Sequence, residues 1–236
     1  MNVYPVNALE ASTMESLQIE SYSSFTDLYN RYMSYQIDFN SEDIEIAGTW
    51  EDAIELDTII LGNTNAQSGR IRLYHGNELL HDITFNINDY ITILETGMKN
   101  VDKFILNLSG ADFISIGYLF TGMRWKLPRF VIEPGKSISL RNESNRTFSG
   151  QVTGIPIDTL KTFKASFIRI PNEQKEIYDN YIDGVQTVIP HVIDPYPEAH
   201  EQFQPFFATV ESYGEAIKRA ENGFYWNFDC SWMEAK

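Results

Sequence analysis

The sequence predicts a mainly β chain, an antiparallel β-sandwich followed by a smaller α+β domain. Between residues 44 and 108, short apolar segments are separated at Gly62-Asn63, Ser68-Gly69 and Gly76-Asn77. That spacing belongs to hairpin-linked strands rather than to strands crossed by long helices. Within it, Arg70, Arg72 and Tyr74 alternate with Gly69, Ile71 and Leu73, as a strand with one buried face requires. The chain also carries 13 Tyr and 15 Phe, side chains that suit both pleated sheets and contact surfaces.

Taken in order, residues 5–47 are polar, yet Phe25, Leu28, Tyr29, Tyr32 and Met33 recur at helical spacing, which predicts a loop-rich opening with one short helix. Strands follow at residues 55–61, 69–74 and 103–108. Pro128 and the Pro134-Gly135 turn mark a change of unit, because proline removes a ladder donor and Pro-Gly favours reversal. The boundary is placed near residue 130, giving domains 1–130 and 131–236. The second begins with strands at 137–140, 148–153 and 164–170. Pro171 and Asn172 then open a helix whose Ile177, Tyr178, Tyr181 and Ile182 share a face, with Gly184 placed to stop it. Residues 188–197, which contain three prolines, are extended, and strands at 206–211 and 223–234 close the chain.

Eighteen Lys and Arg stand against 33 Asp and Glu, a formal charge of -15, so the field of the whole chain opposes binding to nucleic acid and to anionic membranes. The longest apolar runs, such as residues 57–61, are too short to cross a bilayer, and the first residues lack a basic stretch followed by an apolar one. Neither a secretion signal nor membrane insertion is expected. A single cysteine, Cys230, excludes an internal disulfide and a multi-cysteine zinc site. Alternation places it with Phe228 and Trp232 on one strand face, as a buried structural thiol.

The motifs of a serine-hydrolase elbow, a phosphate-binding loop, a dinucleotide site and a zinc-protease helix are absent, so no catalytic residue is assigned and the chain reads as a non-enzyme. Glycosidase chemistry needs two carboxylates facing across a cleft. The neighbouring pairs Glu42/Asp43 and Glu51/Asp52 do not show that, and they read as surface charge. His191, Asp194, Glu198 and His200 have ligand chemistry, but their spacing matches neither a helical face nor a finger, so a solvated turn without metal or other cofactor is expected. His75 and His81 flank the Gly76-Asn77 turn as loop residues. Trp50, Tyr74, Tyr90 and Trp125 are the candidate contacts for a glycan or partner, since an aromatic face stacks on the C–H face of a sugar.

One segment resembles a stretch found in phage tail and virion proteins with a discoidin-like, galactose-binding-type sandwich. It carries a strand from Phe113 to Ile116, then Gly117, Leu119, Phe120, Gly122, Trp125 and Pro128. Residues 4–9 and 56–65 agree in order, so the similarity spans roughly the first 130 residues. It implies a strand ending at Gly117, a turn at Gly122, and Trp125 with Pro128 anchoring the exit. The C-terminal part is similar, through a helix at 172–183 and a final strand at 225–234, to ring-forming domains of minor tail and distal-tail proteins. The resemblance implies a virion structural protein of the tail tip or baseplate, made in the host cytoplasm. Its implied partners are other tail proteins and further copies in a homo-oligomeric ring. The alternative is a carbohydrate-binding module that recognises a cell-surface glycan.

Overall fold

The computed structural model describes residues 1–16, 19–20, 23–29, 36–128, 130, 136–146, 152–185, 189–200, 204–220 and 223–235. The described chain is mainly β, with antiparallel pairing throughout its two sheets and one α-helix. In chain order the strands are β1 (Asn2–Tyr4), β2 (Ser12–Glu15), β3 (Ile37–Phe39), β4 (Asp43–Thr64), β5 (Ser68–His75), β6 (Glu78–Asn86), β7 (Ile91–Ser109), β8 (Ile114–Gly122) and β9 (Trp125–Lys126). They continue with β10 (Lys136–Arg146), β11 (Val152–Ile170), helix α1 (Asn172–Val185), β12 (His191–Asp194), β13 (Phe206–Ala220) and β14 (Gly223–Glu234). The helix expected in the opening segment is a 3-10 turn at Phe25–Tyr29. Tyr32, Met33 and the Pro134-Gly135 turn lie outside the described residues, as do residues 148–151 of an expected strand and Val188.

The first sheet folds over on itself because β4 and β7 run through both of its leaves. Residues 43–49 of β4 pair with 103–109 of β7, which also carries β5 and then β6. Residues 58–62 of β4 pair with 91–95 of β7 on one side, and residues 58–64 pair on the other with β8, which carries β3. Between these stretches the register of β4 shifts at Thr49, Ile54 and Leu56, and such bulges bend a strand. Ile44, Ile46, Ile71, Leu73 and Phe104 from one leaf thus share a core with Ile59, Leu61, Ile114 and Ile116 from the other. Gly48, the register partner of Phe104, leaves room for that ring: a Cβ there would lie 2.0 Å from it. Gly62-Asn63, read as punctuation in the sequence, falls inside β4.

The second sheet runs β10-β11-β14-β13-β12-β1-β9. Its membership changes the division expected near residue 130. Asn2, Val3 and Tyr4 pair with Asp194, Ile193 and Val192, and Val3 also pairs with Trp125. The chain therefore begins in the second sheet, leaves it to build the sandwich, and returns at β9. The sandwich is an insertion in the second unit, a long-range pairing that local sequence patterns do not encode.

Helix α1 covers one face of the second sheet with Tyr178, Tyr181, Ile182 and Val185, spaced i, i+3, i+4 and i+7 as an amphipathic stripe. Ile177, expected on that stripe, is exposed, and the helix continues through Gly184 to Val185. Tyr178 stacks on Phe228 with ring centroids 4.2 Å apart, and Lys175 lies 4.4 Å over the Trp226 ring. At the other face Tyr4, Val192 and Phe207 pack against Ile60, Tyr118 and Phe120 of the sandwich. All nine residues of β8 are buried: Ile114, Ile116 and Leu119 pack in the sandwich core, and Tyr118 and Phe120 in the seam. Burying each such side chain stabilises by about 1.5–3 kcal/mol, so the two units share one packed seam.

Candidate loop-end binding site

Three loops meet at one end of the sandwich, at residues 63–67, 86–90 and 109–113, and backbone hydrogen bonds tie each to the next. Gln67 N donates to Ser109 O, Ile87 N to Gln67 O and Asn63 N to Tyr90 O, each at 2.9 Å. Asn65 completes the brace, its Nδ2 donating to Phe113 O and its Oδ1 accepting from Ser115 N, both at 2.9 Å. Gly110 adopts φ 105, and its missing Cβ admits the Gln67 side chain. Loops held this way present side chains at low ordering cost.

Two aromatic rings stand out from this braced end, Tyr90 at 58% and Phe113 at 59% exposure. Tyr90 precedes β7 and Phe113 precedes β8, the strands on either side of β4. Gly62 pairs with both Ile91 and Tyr118, so the backbone of Phe113 lies two strand spacings across the sheet from Tyr90 and roughly 13 Å farther along it. Exposed Asn65, Gln67, Asn88, Asp89 and Asp112 surround them. The end thus combines flat apolar faces with amide and carboxylate groups, the mixture that binds a ligand having both C–H and O–H faces.

The other candidate contacts go elsewhere. Trp50 is 5% exposed, its ring 5.5 Å from that of Phe104 and its indole N–H donating to Ala8 O at 2.8 Å. It belongs to the core, because β4 turns that face inward at the bend. Tyr74 is half-buried on the outer sandwich face with Lys103 Nζ 5.8 Å over its ring. Trp125 packs against the core of the second unit. Tyr90 alone of the four reaches the loop end. Phe113 was missed as a contact because the sequence reading placed it inside a strand, whereas β8 starts one residue later.

The structural motif of the resembling segment is placed as follows. Gly117 lies in the middle of β8 and does not end it; with both faces of the strand covered, a turn has no room there. Phe120 meets Tyr4 edge-on at 5.7 Å in the seam. Gly122 ends β8, and a Cβ there would lie 2.8 Å from Val6 O, so glycine permits that close approach. Pro128 is buried just after β9.

The histidines and acids of the 191–200 segment separate into two groups. His191 is buried among side chains: its Nδ1 pairs with Ile189 O at 3.0 Å and its Nε2 with Tyr181 Oη at 2.7 Å. Tyr181 Oη in turn accepts from Trp232 Nε1 at 2.7 Å. Burial pushes the His191 pKa down to about 4, and a neutral ring donating from Nδ1 satisfies every group in this chain. Asp194 faces the other way, to His200 Nε2 at 3.0 Å; burial raises its carboxyl pKa, and His200 opposes the rise. Among the described residues no group of three or more His, Cys, Asp or Glu converges as a metal site. Cys230 is buried beside Phe228 and Trp232, and burial pushes its thiol up to about 12. Such a thiol is not activated as a nucleophile.

No family model and no curated protein matches this chain. Among solved structures, a fucose binding module of Streptococcus pneumoniae is similar at TM-score 0.43 and 11% identity, over 50% of this chain and 94% of that one. The family 32 CBM from Clostridium perfringens NanJ, in complex with galactose, is similar at 0.41 and 12%, over 51% and 98%. An F5/8 type C domain from Bacteroides fragilis is similar at 0.40 and 11%, over 50% and 95%.

Proposed function

We propose that this chain is a non-catalytic binding protein whose inserted sandwich recognises a carbohydrate at its loop end. The observation that carries this reading is the pair Tyr90 and Phe113, held exposed on loops that are hydrogen-bonded to one another and ringed by amides and carboxylates. A neutral sugar fits that set. Its apolar faces stack on the rings, and its hydroxyls exchange hydrogen bonds with Gln67, Asn88 and Asp89. The modules similar to half of this chain bind fucose or galactose by their own descriptions, in keeping with the proposal. A glycan array with the whole chain tests it: binding to a neutral glycan that weakens roughly tenfold in Tyr90→Ala and in Phe113→Ala is expected. Silence across the array, or binding indifferent to both changes, refutes it.

A second reading is assembly with further chains, for which the β10–β11 hairpin speaks, while its setting in a phage tail rests on the sequence resemblance alone. Among the described residues, positions 152–161 of β11 pair only with β10, and β14 joins β11 from Thr162 onward. The β10–β11 hairpin therefore extends past the sheet with open edges, and an isolated two-stranded ribbon gains stability by pairing with another chain. On this reading the second unit joins a ring of copies and the sandwich is displayed from it, with the virion as the location. Mass spectrometry of purified virions tests it, and absence of the protein from the particle is the contrary result.

A further inference from the structure

A cavity of about 410 Å³ opens at the seam between the two units, away from the braced loops. Pro5, Ile189 and Pro190 wall it from the second unit, and Glu10, Tyr29 and Tyr118 from the sandwich. Two further lining groups have partners already. Asn7 spends its side chain on Leu119 O and on the N–H groups of Leu9 and Thr121, and Thr26 Oγ1 pairs with Ser24 Oγ at 2.9 Å. Among the described residues Glu10 forms no salt bridge and the Tyr118 hydroxyl no hydrogen bond. No Lys, Arg or His among the described residues lines the cavity.

We infer that this seam cavity is a second ligand site, for a small organic cation such as an amine or a quaternary ammonium. A carboxylate attracts a cation through charge, and the half-buried ring of Tyr29 adds the attraction of an aromatic face. An anion would meet Glu10 with no cationic side chain among the described residues to neutralise it. A polyhydroxylated ligand would find few partners, because the Asn7 amide is consumed by the backbone. The charge of Glu10 is felt at Tyr118, whose phenol is held protonated, above its ordinary range, by burial and by that carboxylate. The formal charge of -15 adds a long-range pull on cations. The pocket exists only when both units are present, since three of its walls come from the second.

Choline chloride and its uncharged carbon isostere, 3,3-dimethylbutanol, separate charge from shape, read by saturation-transfer NMR and calorimetry on the whole chain. Choline is expected to bind with a dissociation constant on the order of 1 mM or tighter, and the isostere roughly tenfold more weakly. Glu10→Gln is expected to weaken choline roughly tenfold, and Tyr90→Ala to leave it unchanged. Glu10 is exposed, so the Gln variant keeps the fold. Equal binding of choline and the isostere, no loss in Glu10→Gln, or no choline binding at all overturns the inference without touching the loop-end reading.

Discussion

At the scale of single residues, His191 carries the clearest acid dependence. Its neutral ring accepts from Tyr181 and donates to Ile189 O, and its pKa is lowered from 6.5 to about 4. The unfolded chain therefore binds the proton more readily. Stability from this residue is full above about pH 6.5 and drains away as pH falls toward 4, by about 3 kcal/mol in all. Asp194, raised by burial, contributes with the opposite sign as its carboxyl titrates, so the His191→Gln variant isolates the histidine term. Urea midpoints between pH 7 and 4 are expected to fall in the wild type and to fall less in that variant; equal slopes would remove the assignment. Trp50 supplies a second residue-level outcome. Trp50→Phe loses the bond to Ala8 O and part of a buried ring, so about 1–3 kcal/mol of stability is expected to go and glycan binding to stay. A loss of glycan affinity in this variant would return Trp50 to the binding surface.

At the scale of elements, β8 is a nine-residue strand buried on both faces, although its apolar Ile114, Ile116, Tyr118 and Phe120 alternate with Ser115, Gly117 and Thr121 as in a strand with one covered face. Phe120 is its contribution to the seam. Phe120→Ala is expected to cost about 3–5 kcal/mol in chemical denaturation, and a cost below 1 kcal/mol would mean that the seam is not packed as described. The sequence disclosed those elements whose pattern is local. The alternation of β5, the strand face shared by Phe228, Cys230 and Trp232, and the helix after Pro171 all follow from periodicities of two or 3.6 residues. It misplaced features decided at long range. Gly117 and Gly62 read as breaks but sit inside strands, because neighbours on both sides hold the chain extended. Ile177 read as core but faces outward, since the stripe of α1 is set by where the sheet lies.

At the scale of the whole molecule, the sandwich hangs between β1 and β9 of a second sheet. That arrangement packs one unit on the other through Tyr4, Val192, Phe207 and β8. The sequence suggested two units and a boundary near 130, but no local pattern could show three N-terminal residues pairing with residues 192–194. Of the aromatic candidates only Tyr90 reached the loop end, and the reason is geometric: exposure depends on which side of a bent strand a residue occupies, and the bend in β4 is a matter of register. The central claim is that the loop end binds a neutral carbohydrate. Its most direct measurement is to titrate neutral oligosaccharides into isotope-labelled protein and follow the backbone amides by NMR. Shifts clustered at residues 63–67, 86–90 and 109–113 are the predicted result; shifts confined elsewhere, or none at saturating sugar, would contradict it.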